Sequence, residues 1–175
     1  MSLGETSWWW LFVSWMLLGA YFDLRARRIP NALVVTAIAI QICLLGYSTW
    51  AGVSLPGAGG WSAALVGFLV GFSFLIFWVL RLMGGGDVKF LAALGFWVGT
   101  GPLLPILMFG TLAALVHALC QIAYRYQFGQ VLLDRQAGKG CPYAGYLALS
   151  AVSLALMQLS SRSCLSFFSR FCTPF

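Results

Sequence analysis

Residues 61–89 read WSAALVGFLVGFSFLIFWVLRLMGGGDVK, a long apolar stretch that ends in three glycines, an aspartate and a lysine. Between Trp61 and Met83 the only charged residue is Arg81. As a helix, this stretch is long enough to cross a hydrocarbon core of about 30 Å. It therefore predicts a transmembrane helix, and Asp87 would follow at the end of that span.

The rest of the chain has the same character. Of 175 residues, 61% are hydrophobic and only 8% are charged, whereas soluble proteins carry about 25% charged residues. We predict an all-α membrane protein with one domain over residues 1–160, built as a bundle of six transmembrane helices. Turn-forming Gly and Pro residues separate the spans, which are 8–21, 32–50, 61–83, 88–99, 103–124 and 141–159. Residues 161–175 are interpreted as a basic, aromatic tail.

The basic residues predict how the bundle is oriented. There are ten Lys and Arg residues, and most lie at the first, third and fifth connections, while the second and fourth connections have none. Cytoplasmic loops carry the excess of Lys and Arg, so these three connections would face the cytoplasm and both termini would lie outside. This also explains the net charge of +6, and no nucleic acid partner is expected. The basic residues concerned are Arg25, Arg27, Arg28, Arg81, Lys89, Arg125, Arg135 and Lys139.

Two of the four acidic residues, Asp23 and Asp87, lie at the ends of apolar spans. The Trp8-Trp9-Trp10 cluster is interpreted as an outer interfacial belt. From this belt to Asp23 is about 21 Å along a helix, and from Asp87 to the turn at Gly99 is about 18 Å. Both carboxylates would then lie at the same depth, some 10 Å inside the cytoplasmic edge of a core of about 30 Å. An ionisable residue at such a depth indicates a functional site.

Two neighbouring carboxylates share one proton, and this arrangement suits peptide hydrolysis. The ionised member takes a proton from the attacking water while the protonated member polarises the scissile carbonyl. No metal or cofactor is expected, because the five cysteines form no CxxC pair. His117, the one histidine, is interpreted as a polar residue of helix packing.

The glycines before Asp87 are predicted to interrupt the helix. They would form an irregular, water-accessible segment, possible in a membrane only beside a cavity. Gly84 and Gly86 would let an extended substrate backbone come close, at φ values that other residues rarely adopt.

Three motifs of the sequence resemble the prepilin peptidase family, which are intramembrane aspartyl proteases of the GxGD type. The first runs from Asp23-Leu24-Arg25 to Pro30-Asn31, and the second, Gly84-Gly85-Gly86-Asp87-Val88-Lys89, matches GxGDxK. The third, Pro142-Tyr143-Ala144-Gly145-Tyr146, is weaker because Gly145 stands where many members have a second proline. No direct chemistry is assigned to this third segment.

The resemblance implies a function and a set of site residues. Asp23 and Asp87 would be catalytic, supported by Gly84, Gly86, Lys89, Pro30 and Asn31. Family substrates are prepilins and pseudopilins whose short basic leader ends in Gly, and the cut would fall at the cytoplasmic face of the bacterial inner membrane. The likeness is greatest to the short tight-adherence (Flp) pilus peptidases. N-methyltransferase activity is not implied, because the paired CxxC motifs of larger members do not occur in this sequence.

Other readings of the same residues remain open. Asp23 and Asp87 could relay ions in a small transporter or proton channel, with Gln41, His117 and Gln121 along the path. A catalytically silent homologue could instead assist pilus assembly, although both aspartates are intact. The sequence does not determine the oligomeric state.

Overall fold

The computed structural model describes residues 3–26, 28–53, 56–57, 59–81, 83–127 and 143–171, with side chains from residue 6 to residue 124 and from residue 143 to residue 157. Every regular element in these ranges is a helix. The helices are α1 Leu3–Ala26, α2 Asn31–Ala51, α3 Trp61–Ser73, α4 Leu75–Val79, α5 Gly85–Val98, α6 Thr100–Gln127 and α7 Tyr143–Phe171.

The outer surface of the bundle is apolar. Side chains such as Trp50, Leu69 and Ile122 are largely exposed, which a water-soluble protein would avoid over so wide an area. Three segments are long and apolar enough to cross a membrane, and a shorter apolar helix follows them. The prediction of an all-helical membrane protein is confirmed, while the count of six spans stays a prediction. The three segments are Asn31–Ala51, Trp61–Val79 and Thr100–Tyr124, and the shorter helix is Tyr143–Met157.

Helix α5 is the centre of the bundle, and every residue from Phe90 to Val98 is buried. Helix α3 packs against it through glycines. A methyl group built on Gly67 would lie 2.9 Å from the carbonyl carbon of Gly95, and one on Gly71 would lie 2.7 Å from the Cα of Ala92. Small residues at these positions let the two backbones touch, as in other membrane helix pairs.

Helix α1 runs antiparallel to α5 and meets it through aromatic rings that pack at an angle to one another. The ring centroids of Trp8 and Trp97 are 5.6 Å apart, and those of Trp15 and Phe90 are 5.0 Å apart. Phe90 also lies directly on Gly19, where a methyl group would come within 2.6 Å of the ring. These contacts fix the register of the two helices.

The interpretation of Trp8 as part of an interfacial belt is wrong. Trp8 is 1% exposed, and its indole Nε1 donates a hydrogen bond to Gln41 Oε1 at 3.4 Å. Only Trp10 of the cluster is well exposed. Trp8 lies on the face of α1 that packs against Trp97, and its ring is therefore buried inside the bundle.

Several helices extend beyond the predicted spans. Helix α1 continues to Ala26, and α7 continues past residue 160 to Phe171. No glycine or proline occurs between Gly19 and Pro30 or between Gly145 and Pro174, so the backbone has no strong local reason to leave the helix. Residue 160 therefore does not mark the end of a helix.

The third predicted span is divided, and the fourth connection is shorter than expected. A turn at Phe74 separates α3 from α4, and α4 ends at Val79 rather than at Met83. Between α5 and α6 only Gly99 is outside a helix. Its φ of 72° is one that glycine adopts readily, and this allows the chain to reverse within one residue.

Candidate active site

Asp23 lies in the last turn of α1 and is buried, with 6% of its surface exposed. Its Oδ2 accepts a hydrogen bond from the backbone N–H of Gly145 at 2.9 Å. Gly145 is the third residue of α7, and such N–H groups have no acceptor within their own helix. The carboxylate therefore lies at a helix N-terminus, where the helix dipole favours negative charge.

Asp87 is the third residue of α5 and is only partly buried. Its backbone N–H bonds to the carbonyl oxygen of Gly84 at 3.1 Å, which closes the first turn of the helix. Asp23 is in the last turn of α1 and Asp87 in the first turn of α5, and these two turns lie at the same end of the bundle. The structure therefore brings together the two aspartates that sequence analysis selected.

The register of α1 against α5 explains why they meet. Gly19 contacts Phe90, and Asp23 is one helical turn further along α1, while Asp87 is one turn back along α5. Since the helices are antiparallel, the two carboxylates arrive at the same level. The packing of the two helices thus accounts for the common level of the two residues, while their depth in the membrane stays a prediction.

The supporting motif residues lie around this pair. Pro30 immediately precedes α2 with φ −65° and ψ 136°, and Asn31 is the first residue of that helix. Lys89 Nζ donates a hydrogen bond to Asn31 Oδ1 at 3.1 Å. The first motif is therefore attached to the GxGD motif by side chains.

Gly86 brings the two motifs together through the backbone. A methyl group built on it would lie 3.6 Å from the backbone nitrogen of Ile29, an ordinary van der Waals distance. A methyl group on Gly84 would lie 3.0 Å from Oδ2 of Asp87, which is tighter than most such contacts. Of these two glycines, Gly84 is the one next to the carboxylate.

The expected irregular segment at the glycines is wrong in two respects. Gly85 and Gly86 form the start of α5 instead of interrupting a helix. Gly84 has φ −68° and ψ 139°, and none of the three glycines has a positive φ. The irregular segment lies before them, where Arg81 has a φ of 57°.

The first turn of α7 is the part of the site that sequence analysis missed. Besides the bond from Gly145, this turn contributes Tyr143, the first residue of α7, which is partly buried. Gly145 contacts Asp23 directly, so this segment belongs to the site, whereas the assignment of no direct chemistry to it stays a prediction. The available signal was Pro142 before an apolar run, because proline commonly precedes or opens a helix and so marks free N–H groups.

The other polar residues of the described core have local partners. Tyr146 Oη hydrogen-bonds to His117 Nδ1, and His117 Nε2 lies 2.8 Å from Gln121 Nε2. The first contact joins α6 to α7 and the second lies within α6, as expected of a packing histidine. Gln41 is fully buried, and its Oε1 accepts a hydrogen bond from Trp8 Nε1. Within the described ranges, no three His, Cys, Asp or Glu residues group as a metal site.

The fold and site define an all-helical membrane protein in which carboxylates from two helices meet at one end of the bundle. A model of the type IV leader peptidase family matches residues 10–119, and the chain belongs to that family. No solved structure matches the chain.

Curated relatives come from several bacteria, and each carries the name prepilin leader peptidase/N-methyltransferase. The protein of Aeromonas hydrophila is 30% identical over 80% of this chain and 46% of its own length. The Aeromonas salmonicida protein is 29% identical over the same shares. The Vibrio cholerae protein is 24% identical over 67% of this chain and 51% of its own. The chain thus spans about half the length of the curated relatives it matches.

Proposed function

We propose that the chain is an aspartic endopeptidase that removes the leader peptide from type IV prepilins at the cytoplasmic face of the inner membrane. The observation that carries the proposal is the packing of Gly19 on Phe90, which sets Asp23 of α1 and Asp87 of α5 at one level of the bundle. Membership of the type IV leader peptidase family gives it independent support.

In the proposed reaction the two carboxyl groups share one proton. The ionised carboxylate removes a proton from water while the water oxygen attacks the scissile carbonyl carbon, and the other carboxyl gives its proton to the carbonyl oxygen. As the C–N bond breaks, the first carboxyl gives its proton to the departing amine. The second recovers a proton from one hydroxyl of the intermediate, so both groups return to their starting states.

The remaining site residues have positioning roles in this proposal. Gly145 N–H and the first turn of α5 each stabilise one of the two carboxylates at a helix N-terminus. The bond between Lys89 and Asn31 holds the start of α2 beside the GxGD motif. Pro30, Gly84 and Gly86 shape the backbone there, as the family resemblance implies for these motif positions.

We further propose six membrane spans with both termini outside, as the distribution of Lys and Arg predicts. The carboxylates would then face the cytoplasmic end, where a basic leader remains while the mature apolar helix lies in the bilayer. Among the subclasses of the family, we propose the tight-adherence (Flp) pilus peptidases, because their motifs most resemble those of this chain. The proposal covers the peptidase reaction alone.

The test is co-expression with a tagged prepilin, with leader loss scored by intact mass and N-terminal sequence. Wild-type protein should shorten the prepilin at the junction after the leader, and Asp23→Asn or Asp87→Asn should leave it uncut. An uncut prepilin in the presence of inserted wild-type protein would contradict the proposal.

A further inference from the structure

The first turn of α7 is held from two sides. On one side, the backbone N–H of Gly145 donates a hydrogen bond to Asp23 Oδ2 at 2.9 Å. On the other side, the hydroxyl of the next residue, Tyr146, hydrogen-bonds to Nδ1 of His117 on α6. Gly145 and Tyr146 are the third and fourth residues of α7. The position of the N–H relative to Asp23 therefore depends on α6 as well as on α1.

The contact between Tyr146 and His117 lies toward the site end of the interface between α6 and α7. One turn farther from the start of α7, Ser150 Oγ donates a hydrogen bond to the carbonyl oxygen of Ile106 at 3.0 Å. Ile106 is 11 residues before His117 in the sequence, or about three helical turns along α6. Because Ser150 holds the two helices independently, loss of the Tyr146 hydroxyl should leave α7 packed and change the position of its first turn.

His117 lies where an apolar side chain would suffice for packing. It belongs to the apolar segment Thr100–Tyr124, and an ionisable side chain in such a segment indicates a function. Its Nε2 lies 2.8 Å from Gln121 Nε2, and a partner at one ring nitrogen orients the imidazole. Nδ1 is thereby directed at Tyr146. A hydrogen bond is directional, unlike an apolar contact, so this pair fixes a position as well as holding two helices together.

We propose that Tyr146 and His117 are positioning residues of the peptidase, whose hydrogen bond holds the first turn of α7 so that the N–H of Gly145 stays on the Asp23 carboxylate. The inference rests on the proposed peptidase function. The two side chains act through Gly145 and not on the substrate. A hydrogen bond weakens steeply as its angle and length depart from the best values. A small shift of this turn would therefore loosen the orientation of Asp23 and slow the chemical step.

Two tyrosine variants provide a matched test. Tyr146→Phe keeps the ring and removes the hydroxyl, and kcat for prepilin should fall about three- to tenfold with an unchanged KM. Tyr47→Phe removes an exposed hydroxyl near the far end of α2 and should cleave as the wild type does. An unchanged kcat in Tyr146→Phe would overturn the proposal. A raised KM at normal kcat would also overturn it, because the hydroxyl would then contact the substrate.

A pair of His117 variants separates positioning from packing. His117→Leu retains an apolar side chain without a polar atom and should lower kcat as much as Tyr146→Phe does. His117→Asn places its amide group where Nδ1 lies, can still bond to Tyr146, and should keep kcat close to the wild-type value. Both are compared at equal amounts of inserted protein. Equal kcat values for the two variants would overturn the proposal, since a packing role does not depend on a polar atom at this position.

Gly145→Pro tests whether the hydroxyl acts through the N–H. Proline lacks this donor and is tolerated in the first turn of a helix, and kcat should fall about 10- to 100-fold because the bond is to a charged group. Adding Tyr146→Phe to this variant should slow cleavage no further. A full additional loss would overturn the proposal.

Failure of this inference is distinct from failure of the proposed function. If inserted wild-type protein leaves prepilin uncut, the proposed function fails. If it cuts prepilin and both Tyr146→Phe and His117→Leu cut equally fast, only the positioning role fails.

Discussion

Lys89 Nζ donates a hydrogen bond to Asn31 Oδ1 at 3.1 Å, although 58 residues separate the two in sequence. The bond joins the first residue of α2 to the first turns of α5. Each partner lies close in sequence to one of the two aspartates. Asn31 begins α2, which follows the short connection from the end of α1 that carries Asp23, and Lys89 lies two residues after Asp87. Its place suggests that it holds the two motifs in register.

The first prediction concerns this bond. Asn31→Ala and Lys89→Ala should each lower the rate of prepilin cleavage about two- to fivefold, since an exposed polar pair is worth little more than this. The double variant should be no slower than the worse single variant, because the two changes remove one shared contact. Initial rates in detergent provide the measurement. Strictly multiplicative effects would show that the two residues act independently.

The second prediction concerns the proposed dyad. Asp23→Asn and Asp87→Asn should each reduce cleavage by about 10²–10⁴-fold, since neither amide can carry the proton that the reaction moves. Asp134→Asn, outside the described residues, is the matched carboxylate control and should cleave normally. Addition of EDTA should leave the rate unchanged. Retained cleavage in either dyad variant, at the wild-type membrane level, would contradict the mechanism.

The all-helical membrane fold could be predicted because it depends on composition and on long apolar runs, which are properties of the sequence itself. The common level of Asp23 and Asp87 in the bundle could also be anticipated from helix rise measured along each span. The estimate counted from Trp9 of the tryptophan cluster, in which Trp8 is a core residue and not an interfacial one. It still placed the two carboxylates at one level.

The parts that could not be predicted depend on tertiary contacts. Nothing local tells whether Trp8 faces lipid or Trp97, since either environment suits an indole. The approach of Gly145 to Asp23 joins residues 122 positions apart, and a backbone N–H leaves no trace in the side-chain sequence. Likewise, glycines read as a helix break can also begin a helix, as Gly85 and Gly86 do.

The third prediction ranks the motif glycines. Gly84→Ala would place a methyl group 3.0 Å from Oδ2 of Asp87 and should displace that carboxylate, so kcat should fall about tenfold or more. Gly86→Ala would meet Ile29 at 3.6 Å and should cleave at close to the wild-type rate. Steady-state kinetics on both variants make the comparison. The reverse order would mean that Asp87 tolerates the methyl group at Gly84 and that the substrate needs the space at Gly86.

Gly86→Val separates two roles for that glycine. Its larger, β-branched side chain should press on Ile29 and stop cleavage, although both carboxylates remain. Full activity in this variant would show that neither the substrate nor the first motif needs the space there.

The fourth prediction concerns the packing of α3 on α5. Gly67→Ala should destabilise the protein by about 1–3 kcal/mol, because its methyl group would meet the backbone of Gly95 and cannot be accommodated without moving a helix. A methyl group built on Gly46 would have no neighbouring atom within 4 Å. Gly46→Ala should therefore stabilise α2 by about 0.5–1 kcal/mol through helix propensity. Thermal unfolding in detergent should therefore shift in opposite directions for the two variants.

The last prediction concerns orientation, on which the proposed substrate depends. Trp8 near the start of α1 contacts Gly57 in the connection between α2 and α3, so these segments share one end of the bundle, and Asp23 and Asp87 lie at the other end with Arg28. Cysteines placed singly at Arg28 and Arg81, in a chain without native cysteines, should react with an impermeant maleimide only after the membrane is opened. Cysteines at Gly57 and Gly101 should react in intact spheroplasts. The reverse pattern would place the carboxylates on the outer side, away from a cytoplasmic leader, and the protein would then require a different substrate.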